Sequence, residues 1–531
     1  FREFPSKKRV IDYPLLLSHM ALLLAFLLCI LFIIIDNRRR IRDLLNYYSK
    51  AKKALSLIPG PPSIPLFGSA HLFKWNVLKF TYQVEDWGRK YLLADPEKSH
   101  GMWHIWAGPV PVVVCGTHES IRVILESNSN ITKPNHYQIL EKWLGSGLVI
   151  RTNEKWHARR KLLTPAFHFN ILKRYIPVFG EQTQILLNIF EEHADTNEVV
   201  DVFPLIKRCG LDIIAETAMG TQLGSQTLQN SEYIDAVYRL SQIAWDYIRF
   251  PWLWYKPIWA ISGYANEFNR KCAIAQNFTR RVIEQRREAL EEEGLLDGEV
   301  SEEQVKTKKL ALLDLLLMMQ KANALSDEDL RAEVDTFMFE GSDTNSSAIG
   351  FTLWFLGQHP EYQKKVHEEI DEIFGTDDRH PSEKDICRMV YIEKCYKEAL
   401  RMTPPVPIIA RQLAHDTQIG DVTLPEGMTV IVSPVSASRD ARYFERPEEF
   451  YPDHFDSDKQ SARDSYSFIP FSGGPRNCIG QKFAVLEAKS MLAQIFRRFR
   501  VESIDFWPAN RPLPEIILKP SNGFKVRLYR R

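Results

Sequence analysis

The chain has 531 residues, 45% hydrophobic and 25% charged, which is enough to bury a large core. Its 68 basic and 67 acidic residues leave a formal net charge of +1, so it lacks the basic excess of a general nucleic-acid binder, and no nucleic-acid partner is expected. The seven cysteines, Cys29, Cys115, Cys209, Cys272, Cys387, Cys395 and Cys478, include no CxxC pair, which argues against a disulfide framework or structural zinc and suits a reducing compartment.

Residues 1–14 form an N-terminal flank that opens on Phe1, so further residues are expected upstream. Residues 15–35 are apolar except for Ser18, His19 and Cys29. As a helix this run is about 31 Å long, close to the hydrocarbon thickness of a bilayer. Asp36 to Arg40 follow it, not a small-residue cleavage site, so an uncleaved single-pass transmembrane anchor is expected. Basic residues before the run are Arg2, Lys7, Lys8 and Arg9. After it come Arg38, Arg39, Arg40, Arg42, Lys50, Lys52 and Lys53. The excess places the body of the protein on the cytosolic side. The N-x-S/T matches at Asn130, Asn277 and Asn345 should then carry no glycan.

Residues 36–65 are a basic linker ending in a proline-rich joint, with prolines at 59, 61, 62 and 65. The catalytic body is assigned to 66–531. Runs at 102–106 and 110–115, joined at Gly108-Pro109, predict a β-hairpin. Helical patterns then prevail to about residue 375, with 291–309 a charged surface loop. Trp156 and Arg160 lie four residues apart on a helix, so an indole N–H and a guanidinium could reach one anion; a surface Arg beside a core Trp is the plainer reading.

A long helix is predicted from Ser326, with Asp329 as its capping partner, to near Pro360. It carries Glu340, Gly341, Ser342, Asp343 and Thr344. Glu340 and Thr344 share a face, and Gly341 would leave room for a small ligand between them. A hydroxyl beside a carboxylate can relay protons; a Thr hydroxyl bonded back to its own helix is the plainer alternative. A further helix covers 390–402, where Glu398 and Arg401 at i and i+3 can pair.

The richest segment is 471–480, with Phe471, Gly474, Arg476, Cys478 and Gly480 in FxxGxRxCxG spacing. Cys478 sits where the last helix opens (it runs to about Phe499), so backbone N–H groups can stabilise a thiolate. Gly474 and Gly480 would let the backbone approach a flat cofactor. Arg476 could hold an anion by a forked contact, and Phe471 could cover the sulfur. A buried structural Cys in a Gly-rich turn is the bland alternative. No GxGxxG, P-loop or HExxH pattern occurs.

This loop resembles that of the cytochrome P450 superfamily at every defining position. The run on through Gln481, Lys482, Phe483 and Ala484 is similar to family four, the fatty-acid ω-hydroxylases. The resemblance extends from the proline joint to near the C-terminus. It implies a mainly α fold with a smaller β-rich lobe, preceded by the membrane helix. It implies haem b with Cys478 as the axial ligand of the iron. Trp156, Arg160, Arg476 and Arg411 would hold the haem propionates. Asp343 and Thr344 would deliver protons to O2 on the face opposite Cys478. Glu340 would form an ester with a haem methyl. Glu398 and Arg401 would lock the core with a third partner, His454, where the family usually has Arg; an imidazole bonds less strongly there. Ser342 and Asn345 also depart from family four, which often has His and Thr. The resemblance further implies an endoplasmic reticulum (microsomal) membrane location and electrons from NADPH through NADPH-cytochrome P450 reductase, with cytochrome b5 as a second donor. The implied reaction is ω-hydroxylation of medium- or long-chain fatty acids. The rivals are a broad xenobiotic-oxidising monooxygenase, a reductase-independent haem-thiolate isomerase and a non-catalytic haem-binding protein.

Overall fold

The structure is a computed structural model that describes residues 22–24, 26, 28, 32, 35–93, 99–227, 231–296 and 310–531. It is mainly helical, with a small sheet part. The helix Asp327–Gln358 runs through the middle and is buried on almost every side; Phe351, Trp354 and Phe355 have no meaningful exposure. A helix apolar all round is a core helix, not a surface one. Ser326 caps it by accepting the Asp329 N–H, as its sequence suggested. Helices Phe203–Ala218, Val390–Met402 and Gln481–Arg498 pack against it. The last two match the boundaries expected from sequence.

The smaller lobe holds a four-stranded sheet. Met102–Ala107 pairs antiparallel with Val110–Cys115, which is the expected hairpin. Val110–Cys115 runs parallel to Thr429–Val432, and Ile409–Gln412 closes the sheet antiparallel. A three-stranded sheet of Val200–Asp201, Lys525–Arg530 and Phe499–Ser503 abuts the central helix.

The stretch read as linker is only partly one. Ala51, Ala54, Leu55 and Ile58 are buried in the core of the smaller lobe, and the His104 N–H donates to the Pro59 carbonyl at 2.9 Å. The packed body therefore begins ahead of residue 66, on the last turns of the helix Arg38–Leu55. The charged loop expected at 291–309 begins later than its sequence suggests, because the helix Tyr264–Glu292 continues into it, and 297–309 lie outside the described residues. The apolar run 15–35 lies mostly outside them too. Leu22, Leu23, Leu24, Phe26, Leu28, Phe32 and Ile35 within it are helical and exposed. Among the described residues, no helix is long and apolar enough to cross a membrane.

Candidate functional site

The loop before the last helix is folded by its own backbone. The Cys478 N–H donates to the Phe471 carbonyl at 2.9 Å, and the Asn477 N–H to that of Gly474 at 3.3 Å. Backbone N–H groups of Gly480 and Gln481, at the start of the helix Gln481–Arg498, donate to the Cys478 sulfur. Phe471 is half-buried and packs on the main core. Cys478 is open to solvent, yet deep enough that desolvation pushes its thiol up to about 11. Both hold if the sulfur stands on the wall of an interior cleft. Glu340 raises it further, while the two N–H groups and Arg160 lower it.

The two loop glycines differ. Gly474 has φ +66°, and a Cβ there would sit 1.8 Å from the Leu125 carbonyl oxygen. Its role is the turn and the approach to Leu125, not to a cofactor as expected. A Cβ on Gly480 would meet only the Cys478 sulfur, at 3.9 Å, so that side of the loop is open.

The candidate anion holders gather around the same cleft. Trp156 is buried on the helix Asn153–Leu163, with the Arg476 guanidinium 5.2 Å from its ring centroid. Arg160 donates to the Asn477 carbonyl at 2.7 Å and to its side-chain oxygen at 2.8 Å, so it clamps the residue before Cys478. Arg411 is buried on Ile409–Gln412. The fork of Arg476 departs from expectation. It donates to the carbonyls of Ile131, Leu148, Val149 and Arg151, so it contributes charge to the cleft while its N–H groups tie down backbone.

One residue escaped the sequence reading. Lys133 is the one formally charged residue between 127 and 138. It stands 4.5 Å from the Tyr137 ring centroid. Thr132 pairs with Gln412, next to Arg411, and Arg476 holds Ile131. These links set Lys133 beside both arginines. Burial, then Arg411 and Arg476, hold its ammonium well below the usual lysine range. Burial likewise lowers Arg411 and Arg160, and takes Arg476 down to about 9. A lone Lys in an uncharged stretch was the available signal, and surface lysines are too common for it to stand out.

Four cations thus crowd one space. The acid facing them is Glu340, itself pushed up to about 7 by burial, with Lys133 the leading influence that lowers it. Such a cluster is stable only against added negative charge. Together with a sulfur served by two backbone donors, this fits a haem: a thiolate site on one wall and holders for two carboxylates on another. Among the described residues no group of three or more His, Cys, Asp or Glu could hold a bare ion.

The long-helix residues divide. Thr344 Oγ1 donates to the Glu340 carbonyl at 2.7 Å, the plainer alternative for this hydroxyl. Asp343 pairs with Lys207 at 3.0 Å. Gly341 leaves no room for a ligand, since a Cβ there would lie 2.6 Å from Ile214 Cδ1; its use is close helix packing. Ser342 bonds back to Met338, and the Asn345 amide donates to the Ala484 carbonyl. Glu398 and Arg401 form a fully buried two-point pair at 2.8 Å, and His454 Nδ1 lies 3.2 Å from Glu398 Oε1. Arg401 also holds the carbonyls of Ser438, Pro447 and Glu449, on the path toward the Cys478 loop.

Comparison with known proteins agrees with this geometry. The cytochrome P450 family model matches residues 58–528. Human cytochrome P450 4V2 is 40% identical over 490 residues, 91% of this chain and 92% of the relative. Cytochrome P450 4c3 of Drosophila melanogaster is 37% identical over 512 residues, 94% of this chain and 92% of the relative. The chain therefore belongs to the cytochrome P450 family, within its family 4, and is a haem-thiolate monooxygenase.

Proposed function

We propose that this monooxygenase hydroxylates medium- or long-chain fatty acids at or near the ω end, with Cys478 as the axial ligand of haem b. The observation that carries the reading is the similarity to family 4 relatives, beside a site in which Arg476 meets Trp156, Arg160 clamps the residue before Cys478 and the Thr132–Gln412 bridge brings Lys133 to Arg411. When bound, the haem supplies the activation of O2 and the attack on a C–H bond. The chain's own groups do the rest. The Gly480 and Gln481 N–H groups hold the charge on the sulfur. Arg160, Arg411, Arg476 and Lys133 balance two peripheral carboxylates. Glu340, the acid facing the four cations, would form an ester with the bound group, which would narrow access so that a chain's end enters first. Thr344, released from the Glu340 carbonyl by a χ1 rotation, passes on a proton held by Asp343.

Electrons come from NADPH through cytochrome P450 reductase, with cytochrome b5 as a second donor. The apolar run 15–35 and the arginines after it support a single-pass anchor in the endoplasmic reticulum membrane, with the catalytic body cytosolic. Turnover of laurate, palmitate and arachidonate by the reconstituted protein, with products mapped by mass spectrometry, tests the substrate class. Activity confined to xenobiotics overturns it.

Two further outcomes are expected. In denaturing chromatography, part of the haem should stay with the wild-type chain and all of it should leave Glu340→Ala; complete release from wild type removes the ester. Lys133→Met should weaken haem retention about tenfold or more, because a charge-assisted hydrogen bond contributes about 1.5–3 kcal/mol. Transfer of haem to apomyoglobin measures this, and an unchanged transfer rate would remove Lys133 from the cradle.

A further inference from the structure

Asp343 does not end at Lys207. Beside the pair is a small cavity of about 20 Å3, room for one water, lined by Lys207, Tyr238, Ser241, Asp343, Glu515 and Lys519. Lys207 reaches both Asp343 oxygens, at 3.0 and 3.1 Å. On the far side Lys519 pairs with Glu515, and both are nearly buried. These two sit on the hairpin of Pro512–Pro514 and Leu518–Pro520, which Ser347 of the central helix pins by donating to the Leu518 carbonyl at 2.5 Å. Gln242 donates to Glu515 at 3.3 Å, and Arg239 to Gln242 at 3.1 Å. The Lys519 ammonium stands 3.5 Å from the ring centroid of Tyr238, which is 45% exposed. A polar path thus runs from solvent to Asp343.

We propose that Lys519 and Glu515, bridged by one water to Lys207, form the route by which solvent reprotonates Asp343. It rests on the reading of Asp343 as proton donor to Thr344. In each passage Lys207 gives one proton to the Asp343 carboxylate. The water then gives one to the Lys207 amine while taking one from the Lys519 ammonium. Solvent at the Tyr238 edge restores Lys519, so one proton moves inward and no charge accumulates. Both cations on the proposed route, Lys519 and Lys207, are lysines, which can release a proton; the core pair at Arg401 uses an arginine, which cannot. Burial, offset in part by Glu515, brings Lys519 down to about 8, and burial raises Glu515. The ionisable groups facing the cavity are Asp343 from the central helix, Lys207 from Phe203–Ala218, Tyr238 from Ser231–Arg249, and Glu515 and Lys519 from the hairpin.

The test uses the full chain in vesicles with reductase and laurate. Lys519→Arg keeps the charge and the partner but holds its proton. If the route is real, Lys519→Arg and Lys519→Met should both lower hydroxylaurate formed per O2 consumed by about tenfold. Released hydrogen peroxide should rise and the solvent deuterium isotope effect should grow, with haem content unchanged in both and Tm unchanged in Lys519→Arg. Glu515→Gln should displace the pH profile of coupling, giving a second reading if either lysine variant folds poorly. Wild-type coupling and isotope effect in Lys519→Arg would overturn the route, because a merely structural ion pair is rescued by arginine. Asp343→Asn separates the two ideas. If it uncouples turnover while the Lys519 variants do not, the route fails and the role of Asp343 stands. If it has no effect, that role falls and the route with it.

Discussion

Cys478→Ala is expected to abolish hydroxylation and to remove the red-shifted Soret band of the reduced, carbon monoxide-bound protein. The argument is one of charge. Burial pushes the Cys478 thiol up to about 11, against the pull of the Gly480 and Gln481 N–H groups, so a thiolate there needs a positive charge beside it. Bound haem iron would supply that charge. The Gly480 and Gln481 N–H groups are already placed to hold the resulting thiolate. Haem uptake should therefore release a proton that Cys478→Ala does not, which links the optical change to the sulfur itself. Cys478→Ser should also lose the band, since a hydroxyl stays protonated and pushes little electron density toward iron. Retention of the band in Cys478→Ala would end the assignment of this residue as ligand.

What could be read from sequence was local. The hairpin follows from alternation over two short runs, the central helix from a Ser326 cap and continuous apolar positions, and the Glu398–Arg401 pair from i, i+3 spacing. Each needs only neighbours along the chain. What was not legible depends on partners far away. The fork of Arg476 is satisfied by Ile131, 345 residues distant, and Asp343 by Lys207, 136 residues distant. Gly341 and Gly474 are small because Ile214 and Leu125 approach them, which no motif spacing records. Lys133 is placed by the Thr132–Gln412 bridge, a tertiary pairing invisible in its own segment. Family resemblance located the cleft through its motif residues; the fourth cation emerged only from the fold.

Glu398→Ala is expected to have the second large effect, on stability more than on chemistry. Arg401 is fully buried, and Glu398 is the carboxylate paired with it. Removing one member of such a pair leaves an uncompensated charge in the core, at a cost of about 3–5 kcal/mol. A domain of ordinary stability has about 5–15 kcal/mol in all, so most of the variant should fail to fold with haem. The damage should reach the Cys478 loop. Arg401 holds three carbonyls between Ser438 and Glu449, and Glu398 accepts the Tyr451 N–H at 2.8 Å, so the pair anchors the chain that leads there. His454→Ala is the informative contrast. Its Nδ1 lies at 3.2 and 3.3 Å from the two Glu398 oxygens, both longer than the Arg401 bonds and shared by one N–H, and its Nε2 has no partner, so it should cost only about 1 kcal/mol beyond its lost packing. Denaturant midpoints, read beside the carbon monoxide spectrum, should therefore fall steeply for Glu398→Ala and modestly for His454→Ala. Equal losses would mean that the imidazole carries as much of the anchor as the guanidinium, and the two-point geometry at Arg401 would no longer explain the lock.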